Sequence, residues 1–139
     1  PQAILQWQFT SNYGLATHEP RSDGSWQIVP SARFWVTKHF CDLTPTPATA
    51  LAAKSDRPGV LVTAFKARDN NKKMVFHVAN LGASRSATLA GLPRKMPPLK
   101  VVVSSEKESF KSLDPVPVRW GRAVFDLPAR SIVTLMTQE

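Results

Sequence analysis

From about residue 50 to its end the chain is a succession of short apolar runs separated by turn formers, and no other feature constrains the fold as much. The runs are "GVLVTAFKA", "KKMVFHVAN", "SATLAGL", "LKVVVSS", "VPVRWG", "AVFDL" and "SIVTLMT". They are rich in Val, Phe, Thr and Ile, whose branched or flat side chains pack well on a pleated surface, and Gly, Pro, Asn, Asp and Ser interrupt them. No helical pattern lies among them. Parallel strands need long, usually helical crossovers, so antiparallel pairing is expected. The predicted architecture is mainly β: an antiparallel, immunoglobulin-like β-sandwich. Asp69, Asn70 and Asn71 form a turn between the first two runs, which makes them a hairpin. Met74, Phe76 and Val78 share one face of their strand and Val75, His77 and Ala79 the other, so one set should face the core. "RWGRAVFDLPARSIVTL" is expected to form the closing hairpin and last strand.

The first fifty residues have a different texture. "AILQWQF", Ala3 to Phe9, reads as a strand shaped for burial on both faces, and "TSNYGLATHEPRSDGSW" as a long loop. "PSARFWVTKHFCDLTP" places Ala32, Trp35, Val36, His39, Phe40 and Leu43 at helical spacing. Pro30 and Ser31 suit the start of that helix, and Pro45 and Pro47 stop it. The expected order is strand, loop, one N-terminal helix over residues 1–48, then the sandwich over 49–139. A chain opening on a strand built for burial is expected to be a fragment, in which Ala3 to Phe9 can pair with a second copy of itself.

Several function classes are disfavoured. Cys41 is the single cysteine, so an internal disulfide framework and a cysteine-based zinc site are absent; inside the helix it should behave as a buried or half-buried hydrophobe. No apolar run reaches the roughly 18 residues that cross a bilayer, so no membrane partner is expected. The formal charge of +8 and the isoelectric point near 10.2 raise the question of a polyanionic partner. The basic residues are dispersed beside turns, without a helix-turn-helix pattern or an aromatic-rich basic strand, so nucleic acid is not expected and an acidic polysaccharide is the polyanion that remains.

In this order and with these strings, "AILQWQF", "SARFWVTKHFCDLTP", "GVLVTAFKARDNNKKMVFHVANLG" and "RAVFDLPARSIVTL", the chain resembles the C-terminal region of clan A glycoside hydrolases, in the style of families 30 and 39. The resemblance implies the last strand and helix of a (β/α)8 barrel leading into an appended β-sandwich. The partner it implies is the catalytic barrel of the same parent chain. Such a parent would be secreted or periplasmic if it degrades polysaccharide. It also implies that Trp7 matches the aromatic platform at the end of the eighth barrel strand. The two catalytic carboxylates of the clan, about 5 Å apart in retaining enzymes, would come from strands upstream of Pro1, so no catalytic residue is expected here.

The residues themselves agree. Glu19 and Asp23 share a polar loop, and Glu106 and Glu108 flank Lys107 in a turn, so all four read as solvated charges. His18, His39 and His77 lie on loop, helix and strand without metal-ligand spacing: His39 should border the packed helix face and His77 should be a hydrogen-bonded strand residue. No Gly-rich phosphate loop and no nucleophile elbow occur, so no metal or cofactor is expected. Among the aromatics, Trp35 and Trp120 read as packing residues, while Trp7, Tyr13 and Trp26 are the candidates for stacking on a sugar ring. The leading expectation is a non-catalytic sandwich that supports a glycoside hydrolase barrel. The alternative is a carbohydrate-binding module that uses exposed aromatics and basic residues, and a third reading is a plain protein-interaction domain.

Overall fold

The computed structural model describes residues 14–69 and 73–138. In chain order the elements are β1 (Ala16–Pro20), β2 (Trp26–Pro30), α1 (Ala32–Leu43), β3 (Ala48–Leu51), β4 (Val60–Ala67), β5 (Met74–Asn80), β6 (Arg85–Ala90), β7 (Leu99–Ser104), β8 (Lys111–Val116), β9 (Val118–Arg119), β10 (Arg122–Leu127) and β11 (Ser131–Met136). The strands form a six-stranded sheet in the order β3-β4-β5-β11-β7-β8, a three-stranded sheet in the order β6-β10-β9, and the β1-β2 ribbon. Every pairing among the described residues is antiparallel. The expected β-sandwich is therefore present, with the hairpin β4-β5 and the last strand β11 where the sequence puts them.

Burial patterns separate the two sheets. β10 alternates strictly: Ala123, Phe125 and Leu127 point into the core while Arg122, Val124 and Asp126 point out. That is the signature of a sheet covered on one face. β11 is buried from Ser131 to Leu135 without a break. Val133 and Leu135 join Phe76, Val78, Leu99, Val101 and Phe125 between the sheets. The opposite face of β11, with Ile132 and Thr134, lies under α1, which packs on β11 and β5. The described residues thus form three layers, helix, large sheet and small sheet, with β5 and β11 covered twice. For this reason both sets of β5 side chains are buried, not one: Phe76 and Val78 in the core, Val75 and His77 on the helix side.

Local chemistry sets the helix ends. Ser31 is the N-cap, in extended backbone, and its Oγ accepts from the Phe34 N–H at 3.3 Å. The Ser31 hydroxyl also donates to the Leu15 carbonyl at 2.8 Å and so ties the helix start to the ribbon. At the other end the Thr44 N–H reaches the Phe40 carbonyl, and a cis Thr46–Pro47 bond follows.

Three expectations are corrected. Residues 16–30 are not a loop but a hairpin, because Asp23 and Gly24 form its turn: Asp23 Oδ1 accepts from the Ser25 N–H at 2.9 Å, and Gly24 takes a positive φ of 81°. Cys41 is exposed, since the phase that buries His39 turns position 41 to solvent. Trp120 is 85% exposed, not a packing residue among the described residues, because it sits at the tip of the β9-β10 hairpin. The strand proposed for Ala3 to Phe9, its pairing with a second copy, and the candidates Trp7 and Tyr13 lie outside the described residues.

Candidate functional site

Two arrangements of side chains could carry chemistry. The first lies between α1 and the large sheet. Its four polar side chains are buried, with His39 and Thr134 at 0%, His77 at 2% and Ser104 at 6% exposure. His39 Nδ1 lies 2.6 Å from Thr134 Oγ1, and His77 Nδ1 lies 2.8 Å from the same oxygen. His39 Nε2 meets Ser104 Oγ at 3.0 Å, and His77 Nε2 meets Thr44 Oγ1 at 3.0 Å. Ser104 Oγ accepts in turn from the Phe110 N–H at 2.8 Å.

Proton counting fixes how this chain works. The Thr134 hydroxyl has one proton, so it donates to one imidazole and accepts an N–H from the other. Each neutral imidazole offers one N–H and one lone pair, so two arrangements of opposite direction satisfy both rings. No buried side-chain nitrogen or oxygen among the described residues lacks a partner. Burial pushes both imidazoles down to about 4, and for His77 the charge His39 would carry adds to the effect. Phe40 and Phe65 lie against His77, and Phe110 against His39. Among the described residues no carboxylate is hydrogen-bonded to either ring, and no group of His, Cys, Asp and Glu is placed to hold a metal ion. The arrangement is a hydrogen-bonded clasp between helix and sheet.

The second arrangement is the β1-β2 ribbon. Trp26 pairs with Pro20 and Ile28 with His18, so these four side chains share one face. Trp26 is 68% and Ile28 is 59% exposed, and the hairpin turn that leads into Trp26 is closed by the Arg21 N–H donating to the Ser25 carbonyl and the Gly24 N–H to the Arg21 carbonyl. An exposed indole beside a proline ring offers a flat apolar surface that a sugar ring or a protein partner can cover. Of the three predicted contact residues, Trp26 is thus displayed on a hairpin strand.

The expected solvent charges are where the sequence put them. Asp23 is exposed, with its carboxyl held below the usual range by the Ser25 hydroxyl and N–H. Glu106 pairs with Arg130, and Glu108 with Lys111, at the surface. Sequence reasoning did not find Thr134, Ser104 or Thr44, whose only signal is a hydroxyl within or beside an apolar run.

No family model and no curated protein matches the chain in sequence. Solved structures do share its fold. A GH30 endoxylanase from Clostridium papyrosolvens matches with a TM-score of 0.73 and 20% identity, over 97% of this chain and 32% of that one. The catalytic domain of a GH30 xylanase from Talaromyces cellulolyticus matches at 0.70 and 22%, over 91% and 28% of the two chains. A conserved exported protein from Bacteroides fragilis matches at 0.74 and 13%, over 92% and 28%. The chain spans about a third of the length of the first of these xylanases. With nearly all of this chain superimposed on a minor part of each neighbour, it has the fold of one part of a GH30 xylanase.

Proposed function

We propose that the chain is a non-catalytic, C-terminal part of a glycoside hydrolase: a sandwich, residues 49–139, that braces the catalytic barrel of the same parent chain by gripping its last strand–helix unit, residues 1–48. The observation that carries this reading is the clasp. α1 is fastened to the centre of the large sheet by a polar chain in which every buried group is satisfied, which supports a helix and sheet that act as a unit. Hydrogen exchange tests it directly. The amides of α1 should be protected as strongly as those of β11, and a helix that opens far more readily than β11 overturns the brace. Purified chain should turn over no aryl glycoside, and turnover by pure material overturns the non-catalytic reading.

The exposed face of Trp26, Pro20 and Ile28 favours a second reading, in which the chain also holds carbohydrate. Trp7 and Tyr13, grouped with Trp26 in sequence, are proposed as its companions. Calorimetry against neutral polysaccharides should give saturable heat that a Trp26→Ala variant loses. Heat unchanged in that variant removes Trp26 from the role.

A further inference from the structure

The tip of the β9-β10 hairpin combines features that each work against a stable fold. Trp120 and Gly121, the two residues between the paired Arg119 and Arg122, have φ of 53° and 73°, so the turn needs left-handed backbone at both positions. Gly121 fits this requirement. A Cβ there would also stand 2.5 Å from the Leu92 carbonyl oxygen. Trp120 does not fit it, since a bulky side chain with positive φ is strained. The strain is not repaid by packing: the indole is 85% exposed, with no ring partner among the described residues.

Charge adds to the anomaly. Arg119 and Arg122 are direct cross-strand partners, so two like charges face each other on the sheet's outer side. The Leu92 N–H binds the Gly121 carbonyl at 3.1 Å, which sets the segment carrying Arg94 and Lys95 beside the same tip. All four cations are exposed, and none has a side-chain partner among the described residues. No Asp or Glu occurs from Gly91 to Ser105 or from Pro115 to Phe125. Strain concentrated where nothing among the described residues repays it points to an external ligand.

We propose that Trp120, with Arg119, Arg122, Arg94 and Lys95, is a binding point for a carboxylate-bearing polysaccharide. The indole face covers the C–H face of a uronic-acid ring, and the guanidinium groups take the carboxylates of that ring or its neighbours. The proposal rests on the carbohydrate reading above but on a different surface and a charged ligand. A uronate chain meets both halves of the site, the flat apolar group and the cations. Duplex nucleic acid would use the cations alone, since its bases are stacked away from an external indole.

The test is binding of the full chain to polygalacturonate, to the same polymer fully methyl-esterified, and to a DNA duplex, at low and moderate salt. Polygalacturonate should bind saturably and the ester weakly. Affinity should fall by about tenfold or more in Trp120→Asn and in the Arg119→Ala, Arg122→Ala pair, and stay at wild-type level in Trp26→Ala. Trp120→Asn suits the left-handed position, so its melting temperature should rise while binding is lost, which separates a ligand role from a packing role. Binding that survives Trp120→Asn, or a duplex bound as tightly as polygalacturonate at the same salt, overturns the proposal. Absence of binding to any acidic polymer also overturns it, while leaving the neutral-glycan reading to be decided by Trp26→Ala.

Discussion

His39 on α1 and His77 on β5 share one hydroxyl, that of Thr134 on β11, at 2.6 and 2.8 Å. The two residues are far apart in sequence, and a third element supplies the group between them. Helix and sheet are therefore joined by a link whose strength depends on both rings staying neutral.

Stability should fall on mild acidification. Both histidines titrate at about 4 when folded against an ordinary value of 6.5, so between those values the unfolded chain binds more protons than the folded one. The contribution is complete above pH 6.5 and is lost as pH falls toward 4. Each histidine should contribute a slope of up to about 1.4 kcal/mol per pH unit within that window. A second proton also strands the hydrogen of the Thr134 hydroxyl between two N–H donors. Denaturant unfolding measured from about pH 8 to about pH 5 checks this, and equal stabilities at the two ends contradict it.

Thr134→Val keeps the shape of the bridging residue and removes its hydroxyl. Two buried ring nitrogens then lose their shared partner, and the loss should be about 2–5 kcal/mol. Thr134→Ser keeps the hydroxyl and gives up a methyl group, for about 1 kcal/mol. Equilibrium unfolding of the two variants should rank them in that order; the reverse order removes the clasp.

Leu135 and Val124 test the layer assignment. Leu135 is fully buried between the sheets and Val124 is 61% exposed on the outer side of the small sheet. Leu135→Ala should cost about 2–5 kcal/mol by leaving a cavity, whereas Val124→Thr should change stability by no more than about 0.5 kcal/mol. Comparable losses at both sites would mean that the outer face of β10 is covered.

The hairpin tip should respond in opposite directions at adjacent positions. Trp120→Asn relieves a strained backbone position and should gain about 0.5–1 kcal/mol. Gly121→Ala puts a methyl group against the Leu92 carbonyl at a positive φ and should lose more than about 1 kcal/mol. Thermal unfolding of the two variants reads both signs.

What the sequence determined by itself is what neighbouring residues decide. The helix was legible because Ser31 caps its start and Pro45 and Pro47 lie just beyond its end, and the β4-β5 pairing because the sequence between two branched runs has the composition of a turn. The ribbon was locally encoded as well, in Asp23 and Gly24, but its polar composition reads equally as loop. Tertiary structure alone decided the rest. His39, Ser104, His77 and Thr134 meet only because α1 lies across β5, β11 and β7, and nothing near any one of them in sequence indicates that contact. Trp120 read as a packing residue because indoles are usually buried, and only the left-handed turn at positions 120 and 121 holds it in solvent. Capping and turn chemistry act over a few bonds and so are written locally, whereas burial depends on which layer arrives from elsewhere to cover a face.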